Sequence, residues 1–188
     1  VFNHDVAFAG LTAARKLSKV REEMAKKGVN YHLICSLDDI AWLYNIRGSD
    51  VAYNPVAMAH ALVSDTRAWL FIDRSKVSDE VRSTLEDNGV TVEDYARVYD
   101  YLAKLKDNDK ILLDPDRTNS WLYDAITGEC IKVEDTNITT RLKAVKNEVE
   151  IENLKKAHIS DGVAMVKFLY WLDCNLGKQK ITEITVAE

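Results

Sequence analysis

The stretch Trp42–Val56, "WLYNIRGSDVAYNPV", decides how this chain is read. An apolar run that reads as helix gives way, within a few residues, to Arg47, Gly48, Asp50 and Asn54 ahead of Pro55. Glycine frees the backbone and a residue before proline is pushed out of the helical region, so a loop is predicted here. The helix that leads into it starts at Ser36, an N-cap residue, with Asp38 and Asp39 in its first turn where the helix dipole favours negative charge. Two readings of the loop stand side by side. In one it is a turn whose Arg47 and Asp50 serve only to hold it together. In the other it faces a site, because an arginine fork suits a substrate carboxylate.

Upstream, Leu11 to Lys27 places Leu17, Val20 and Met24 on one face with Lys and Arg opposite, and Gly28 stops it: an amphipathic helix. "YHLIC" (Tyr31–Cys35) is a short strand. Downstream, "MAHALVS" and "AWLFI" are strands joined by the polar turn Ser64–Arg67, a hairpin. A helix capped by Ser78 runs to Asn88-Gly89, followed by strand "VTVE" and a helix from Arg97 to Leu105. "KILLD", a short helix over Thr118–Ile126 and strand "CIKVE" complete the pattern. The alternation predicts an α/β fold, a mixed β-sheet flanked by helices.

Near Glu134 the character changes. "EDTNITTRLKAVKN" is polar and then basic, and leads into a helix from Asn147 to about Asn175. Its first half pairs Glu152 with Lys156 at i, i+4; its second half, "GVAMVKFLYWL", is apolar nearly all round and so demands burial on every side. A helix barely begun after Thr182 follows, so the chain is expected to be a piece of something longer. Isolated, such a helix would expose apolar surface and self-associate.

The totals bound the function. A net charge of -5 argues against a general nucleic-acid binder, which needs a basic face. No apolar run reaches the roughly 18 residues that span a bilayer, and the first ten residues do not read as a secretory leader. The cysteines, Cys35, Cys130 and Cys174, are odd in number and form no CxxC, which suggests reduced thiols and a cytoplasmic location. His4, His32, His60 and His158 lie in separate elements without metal-ligand spacing, and Asp114-Pro115-Asp116 reads as a turn. No GxSxG, Walker or GxGxxG pattern occurs. These residues alone describe no working active site, and no catalytic or metal residue is assigned.

Two stretches resemble a known family. "SLDDIAWLYNIRGSDVAYNPV" (Ser36–Val56) is similar to the middle-domain signature of three-domain Xaa-Pro aminopeptidases, metallopeptidases of the M24 group. "RLKAVKNEVEIENLKKAHISDGVAMVKFLYWL" (Arg141–Leu172) is similar to the segment that leads into that family's catalytic domain. The resemblance implies a linker over residues 1–10, a creatinase-N-like α/β domain over 11–140, and over 141–188 the start of a pita-bread catalytic domain. It implies removal of an N-terminal residue before proline, with two divalent metals, usually manganese, held by ligands downstream of the opening helix. None of those ligands maps onto this chain, and His158 matches a helix position, not a ligand. The stretch itself is therefore expected to be inactive and to carry no cofactor. The expected partners are its own catalytic domain, a homodimer mate and short Xaa-Pro peptides. Arg47, and after it Asp50 and Asn54, are the residues expected to border the substrate cleft. The alternative is a non-catalytic module on the same scaffold that binds proteins or peptides, as histone-chaperone subunits do.

Overall fold

Alternating apolar positions on each strand face two ways, and the fold follows from giving each side its own cover. The computed structural model of the chain describes residues 1–128 and 130–187. Six strands form one mixed sheet: β2 (Tyr31–Ile34), β4 (Ala59–Ser64), β5 (Ala68–Ile72), β6 (Val90–Asp94), β7 (Lys110–Leu113) and β8 (Ile131–Glu134), in the order β6-β5-β4-β2-β7-β8. β4 runs antiparallel to β2 and β5, whereas β2–β7, β7–β8 and β5–β6 are parallel. The Ser64–Arg67 hairpin is present, with the Arg67 carbonyl accepting from the Ser64 N–H at 2.8 Å.

On one face, Ile34, Ala61, Val63, Leu70 and Ile72 pack with Leu17, Val20 and Met24 of α2 (Ala13–Lys27), Ile40 and Leu43 of α3 (Leu37–Tyr44), and Val81 and Leu85 of α4 (Asp79–Asp87). The intervening residues Leu33, Leu62, Phe71, Ile111 and Leu113 turn to the other face. There they meet Val98 and Leu102 of α5 (Val98–Leu102) and Leu122 of α6 (Ser120–Ala125). The helix read over Arg97–Leu105 is shorter than its sequence suggests, a 3₁₀ turn at Tyr95–Arg97 passing into α5. Thr12, Ser78 and Asn119 cap their helices by accepting from backbone N–H groups three residues on. Ser36 holds the N-cap position without that bond, because its hydroxyl accepts from Asn137 Nδ2 at 3.2 Å instead.

Three features depart from the pattern in the sequence. Residues Phe2–Asn3 form β1, paired antiparallel with β3 (Ile46–Arg47), and Val6–Ala9 form the short helix α1. Lys16, on the supposedly solvated face of α2, is buried: its ammonium donates to the Trp42 carbonyl at 2.8 Å and Asn45 Oδ1 at 2.6 Å. The polar lead-in contains a further helix, α7 (Ile138–Ala144), tied to α3 through a buried carboxylate. Asp39 accepts from Thr139 at 3.0 Å and Thr140 at 2.5 Å on one oxygen, and its other oxygen lies 2.7 Å from Lys143 Nζ. Asp114 Oδ2 accepts from the Asn137 N–H, and its Oδ1 from Asp116, so the Asp-Pro-Asp turn anchors the start of α7.

Residues 1–147 make one compact unit, and the residues from Glu148 onward a second. In the second, α8 (Glu148–Asn175) is a helix of 28 residues, with α9 (Glu183–Ala187) after it. Glu152 pairs with Lys155 at i, i+3 rather than with Lys156. No residue of α8 is buried: Ile159, Val166 and Tyr170 are each about two-thirds exposed or more, at 69%, 67% and 71%. Among the described residues of this unit, none covers that apolar surface.

Candidate functional site

The loop after α3 is built from the helix end outward. Asn45 closes α3 in the left-handed conformation at φ 52°, a geometry asparagine tolerates. Its amide donates to the Leu11 carbonyl at 2.8 Å, and its oxygen accepts from Lys16. The chain then enters β3, where Arg47 pairs across with Phe2. Arg47 is half-buried, and its Nη1 donates to the carbonyls of Ala41 at 3.0 Å and Ile46 at 2.8 Å. Cations suit the carbonyl end of a helix, so this arginine satisfies the C-terminus of α3. Burial pulls its pKa below the ordinary arginine value, against the pull of Asp38.

Gly48 is required by crowding. A Cβ there would lie 2.8 Å from the Ala57 Cβ and 2.9 Å from the Val56 carbonyl oxygen. Its N–H donates to the Pro55 carbonyl at 3.2 Å and that of Asp50 to Val56 at 3.1 Å, so residues 48–56 fold back on themselves. Gly48→Ala must push two backbone segments apart, and we expect a loss of about 1–3 kcal/mol, read as a lower urea midpoint with an unchanged m-value.

The three loop residues picked out in the sequence do not converge. No ion pair joins Arg47 to Asp50 among the described residues. Asp50 accepts from the Met58 N–H at 2.8 Å and from Lys76 Nζ at 2.8 Å, and these hydrogen bonds, that to Lys76 foremost, hold its carboxyl below the usual carboxylate range. Asn54 donates to Asp38 at 3.3 Å. Each side chain reaches a different neighbour and pins one side of the loop. What they leave outward is the tip, Ser49 to Tyr53, exposed throughout. Tyr53 stands in full exposure at φ 62°, a residue the sequence reading passed over. An aromatic just before Asn-Pro in a turn was the available signal. The loop thus presents a short polar-aromatic tip at the surface.

The other chemical candidates are structural. Cys35 is half-buried, and burial pushes its thiol up to about 12, the reverse of an activated nucleophile. His32 and His60 are buried strand residues, and His4 stacks on Phe8 with centroids 5.7 Å apart. Among the described residues, no grouping of three or more His, Cys, Asp or Glu could hold a metal ion. No helix among the described residues is long and apolar enough to cross a membrane.

Comparison with known proteins places this architecture. The family model for the creatinase/prolidase N-terminal domain matches residues 1–150. The chain is 37% identical to Xaa-Pro aminopeptidase 1 of Dictyostelium discoideum over 92% of its own length, and 34% identical to aminopeptidase P1 of Arabidopsis thaliana over 90%. It spans 27% and 30% of those relatives, under a third of each. Among solved structures it resembles an X-prolyl aminopeptidase from Caenorhabditis elegans, described as a cytosolic enzyme with a di-nuclear active site. The TM-score there is 0.89 at 31% identity, covering 99% of this chain and 31% of that one. A Xaa-Pro dipeptidase from Bacillus anthracis shares the fold at a TM-score of 0.66 and 19% identity, covering 93% of this chain and 46% of that one. By the family match over residues 1–150, which takes in the sheet, its helices and the loop, this chain belongs to the creatinase/prolidase N-terminal domain family.

Proposed function

We propose that this chain is a non-catalytic part of a metal-dependent aminopeptidase that removes an N-terminal residue preceding proline. The observation that carries the reading is the likeness to the Caenorhabditis elegans X-prolyl aminopeptidase over nearly the whole chain, at 31% identity and a TM-score of 0.89. The residues described here do not form a di-nuclear metal centre, since no suitable donor grouping exists among them. In this reading the two divalent ions, manganese by preference, belong to a catalytic domain that α8 opens, and the exposed apolar face of α8 is the surface that domain covers. The intact enzyme is cytoplasmic and dimeric, and it takes short Xaa-Pro peptides.

Within that enzyme the loop's part is to shape the cleft. Arg47 borders it, with Asp50 and Asn54 fixing the loop so that the 49–53 tip is held outward. Pre-set geometry of this kind selects substrates by fit and charge rather than by chemistry. The test uses the intact enzyme and a short Xaa-Pro peptide. Arg47→Ala should raise KM about threefold to tenfold with little change in kcat, and Arg47→Lys should restore part of the loss. Unchanged KM and turnover in the alanine variant would remove Arg47 from the cleft. Absence of proline-dependent cleavage by the intact wild-type protein would overturn the functional reading itself.

A further inference from the structure

At the other end of β4 from the 48–56 loop, the β4–β5 hairpin and α5 enclose a cleft of about 470 Å³. That volume lies within the roughly 300–1,000 Å³ typical of small-molecule sites. Three cationic side chains, Arg67, Arg97 and Lys104, and the rings of Trp69, Tyr101 and Tyr31 line it. The rings are held in place. Tyr101 meets Trp69 edge-on with centroids 5.4 Å apart and rests against buried Phe71 at 5.1 Å, and its hydroxyl donates to Glu93 at 2.8 Å. Arg97 lies 5.6 Å from the Tyr101 ring centroid and pairs with Glu93 at 3.1 Å, with Asp100 a further 3.7 Å contact. Glu93 is thereby compensated from two sides.

Arg67 and Lys104 differ. Both are exposed, and neither takes part in an ion pair among the described residues. The one carboxylate on the lining, Asp65, is exposed at the hairpin turn and accepts from Thr66. A cleft with fixed aromatic walls and two exposed cations on its lining that take part in no ion pair among the described residues is matched by a ligand with both a flat apolar part and a negative charge. We propose that this cleft binds a small anion carrying a planar ring, its charge met by Arg67 and Lys104 and its ring set against Trp69. The site is separate from the loop of the preceding section and does not depend on the peptidase reading.

Two probes cover the two ways such a ligand can carry its charge: 5′-AMP, a phosphate, and indole-3-acetate, a carboxylate. Titration calorimetry on the 188-residue chain should show saturable one-to-one binding of at least one of them, weakening as salt is raised. Adenosine and inorganic phosphate should each bind at least about tenfold more weakly than 5′-AMP where 5′-AMP binds, since each offers half of the recognition. The double variant Arg67→Ala, Lys104→Ala should lose about tenfold or more in affinity, with its circular dichroism and melting unchanged because both side chains are exposed. Trp69→Leu should lose affinity and Trp69→Phe should retain most of it. Binding of 5′-AMP alone or of indole-3-acetate alone supports the proposal and names the charge carried. No saturable binding of either up to about 1 mM, a range that detects even weak sites, overturns it. So does undiminished binding by the double variant, or phosphate that binds as well as 5′-AMP.

Discussion

Acidification from pH 7 to about 4 will remove roughly 6 kcal/mol of stability from this chain through two side chains, His32 and His60. Both rings sit inside the sheet's packing, and burial lowers each pKa from 6.5 to about 4. His32 keeps one contact, Nδ1 to the Leu112 carbonyl at 3.2 Å, which with Asp39 and Asp114 only partly opposes the desolvation. His60 lies against Tyr95 at 4.8 Å. Neither His32 Nε2 nor His60 Nδ1 has a hydrogen-bond partner among the described residues. A histidine depressed in the folded state binds its proton first in the unfolded state. Between about pH 6.5 and 4 the unfolded chain therefore holds more protons, so stability falls as pH falls, by roughly 3 kcal/mol per ring. Urea midpoints taken at half-unit steps across this window check it. His60→Leu should flatten the slope by about half. A midpoint that stays level from pH 6.5 to 4.5 would show that the rings are not held neutral by burial.

Asp39→Ala is expected to cost about 2–4 kcal/mol. The carboxylate is 1% exposed and gathers three groups from α7: the hydroxyls of Thr139 and Thr140 and the ammonium of Lys143. Its removal strands two hydroxyls and a lysine whose side chain is 28% exposed. The lysine can turn partly to water, which places the cost below the upper range for a fully buried pair. For a chain of this size about 3 kcal/mol corresponds to a fall of about 6–12 °C in Tm. The readout that identifies the mechanism is local: amide exchange across Ile138–Ala144 should accelerate more than across β4 or β5. Asp39→Asn, which can still accept from one threonine, should lose less. If the alanine variant melts within a degree or so of the wild type, about the scatter of a neutral surface change, the carboxylate does not hold α7.

Both effects arise from groups whose partners lie far away in the sequence, and this is where the sequence was least readable. The strands and most helices were plain because their signals are local: period-two alternation in "AHALVS" and "AWLFI", Gly28 as a stop, Ser78 as a cap. The α/β class and mixed sheet followed directly. By contrast, β1 and β3 are two residues each and carry no periodicity to detect. Lys16 looked solvated because nothing near it announces Trp42 and Asn45, 26 and 29 residues on. Helix α7 was hidden in a polar run, since its ties to Asp39 run 100 residues back. The same blindness applies to the loop. Arg47, Asp50 and Asn54 stand out as unusual, but Asp50 reaches Lys76 across 26 residues of chain, Asn54 reaches back 16 to Asp38, and Arg47 turns to the Ala41 carbonyl, none of which a local pattern announces. The basic-aromatic cleft is the extreme case, since its lining comes from residues 31 to 105 and no local motif brings them together.

The strand order also says how the sheet assembles. β4, β5 and β6 follow one another in sequence and lie side by side, and β7 and β8 do likewise. The two groups meet only at β2, which lies antiparallel to β4 but parallel to β7, with His32 facing Leu112 across 80 residues of chain. Local pairings form early, whereas a contact of such separation waits on the closure of a long loop. Of the ladders in this sheet, the β2–β7 seam closes the longest loop, and its pairing is therefore expected to be the slowest to form. Until β7 arrives, the edge of β2 is an unpaired strand that another molecule can capture.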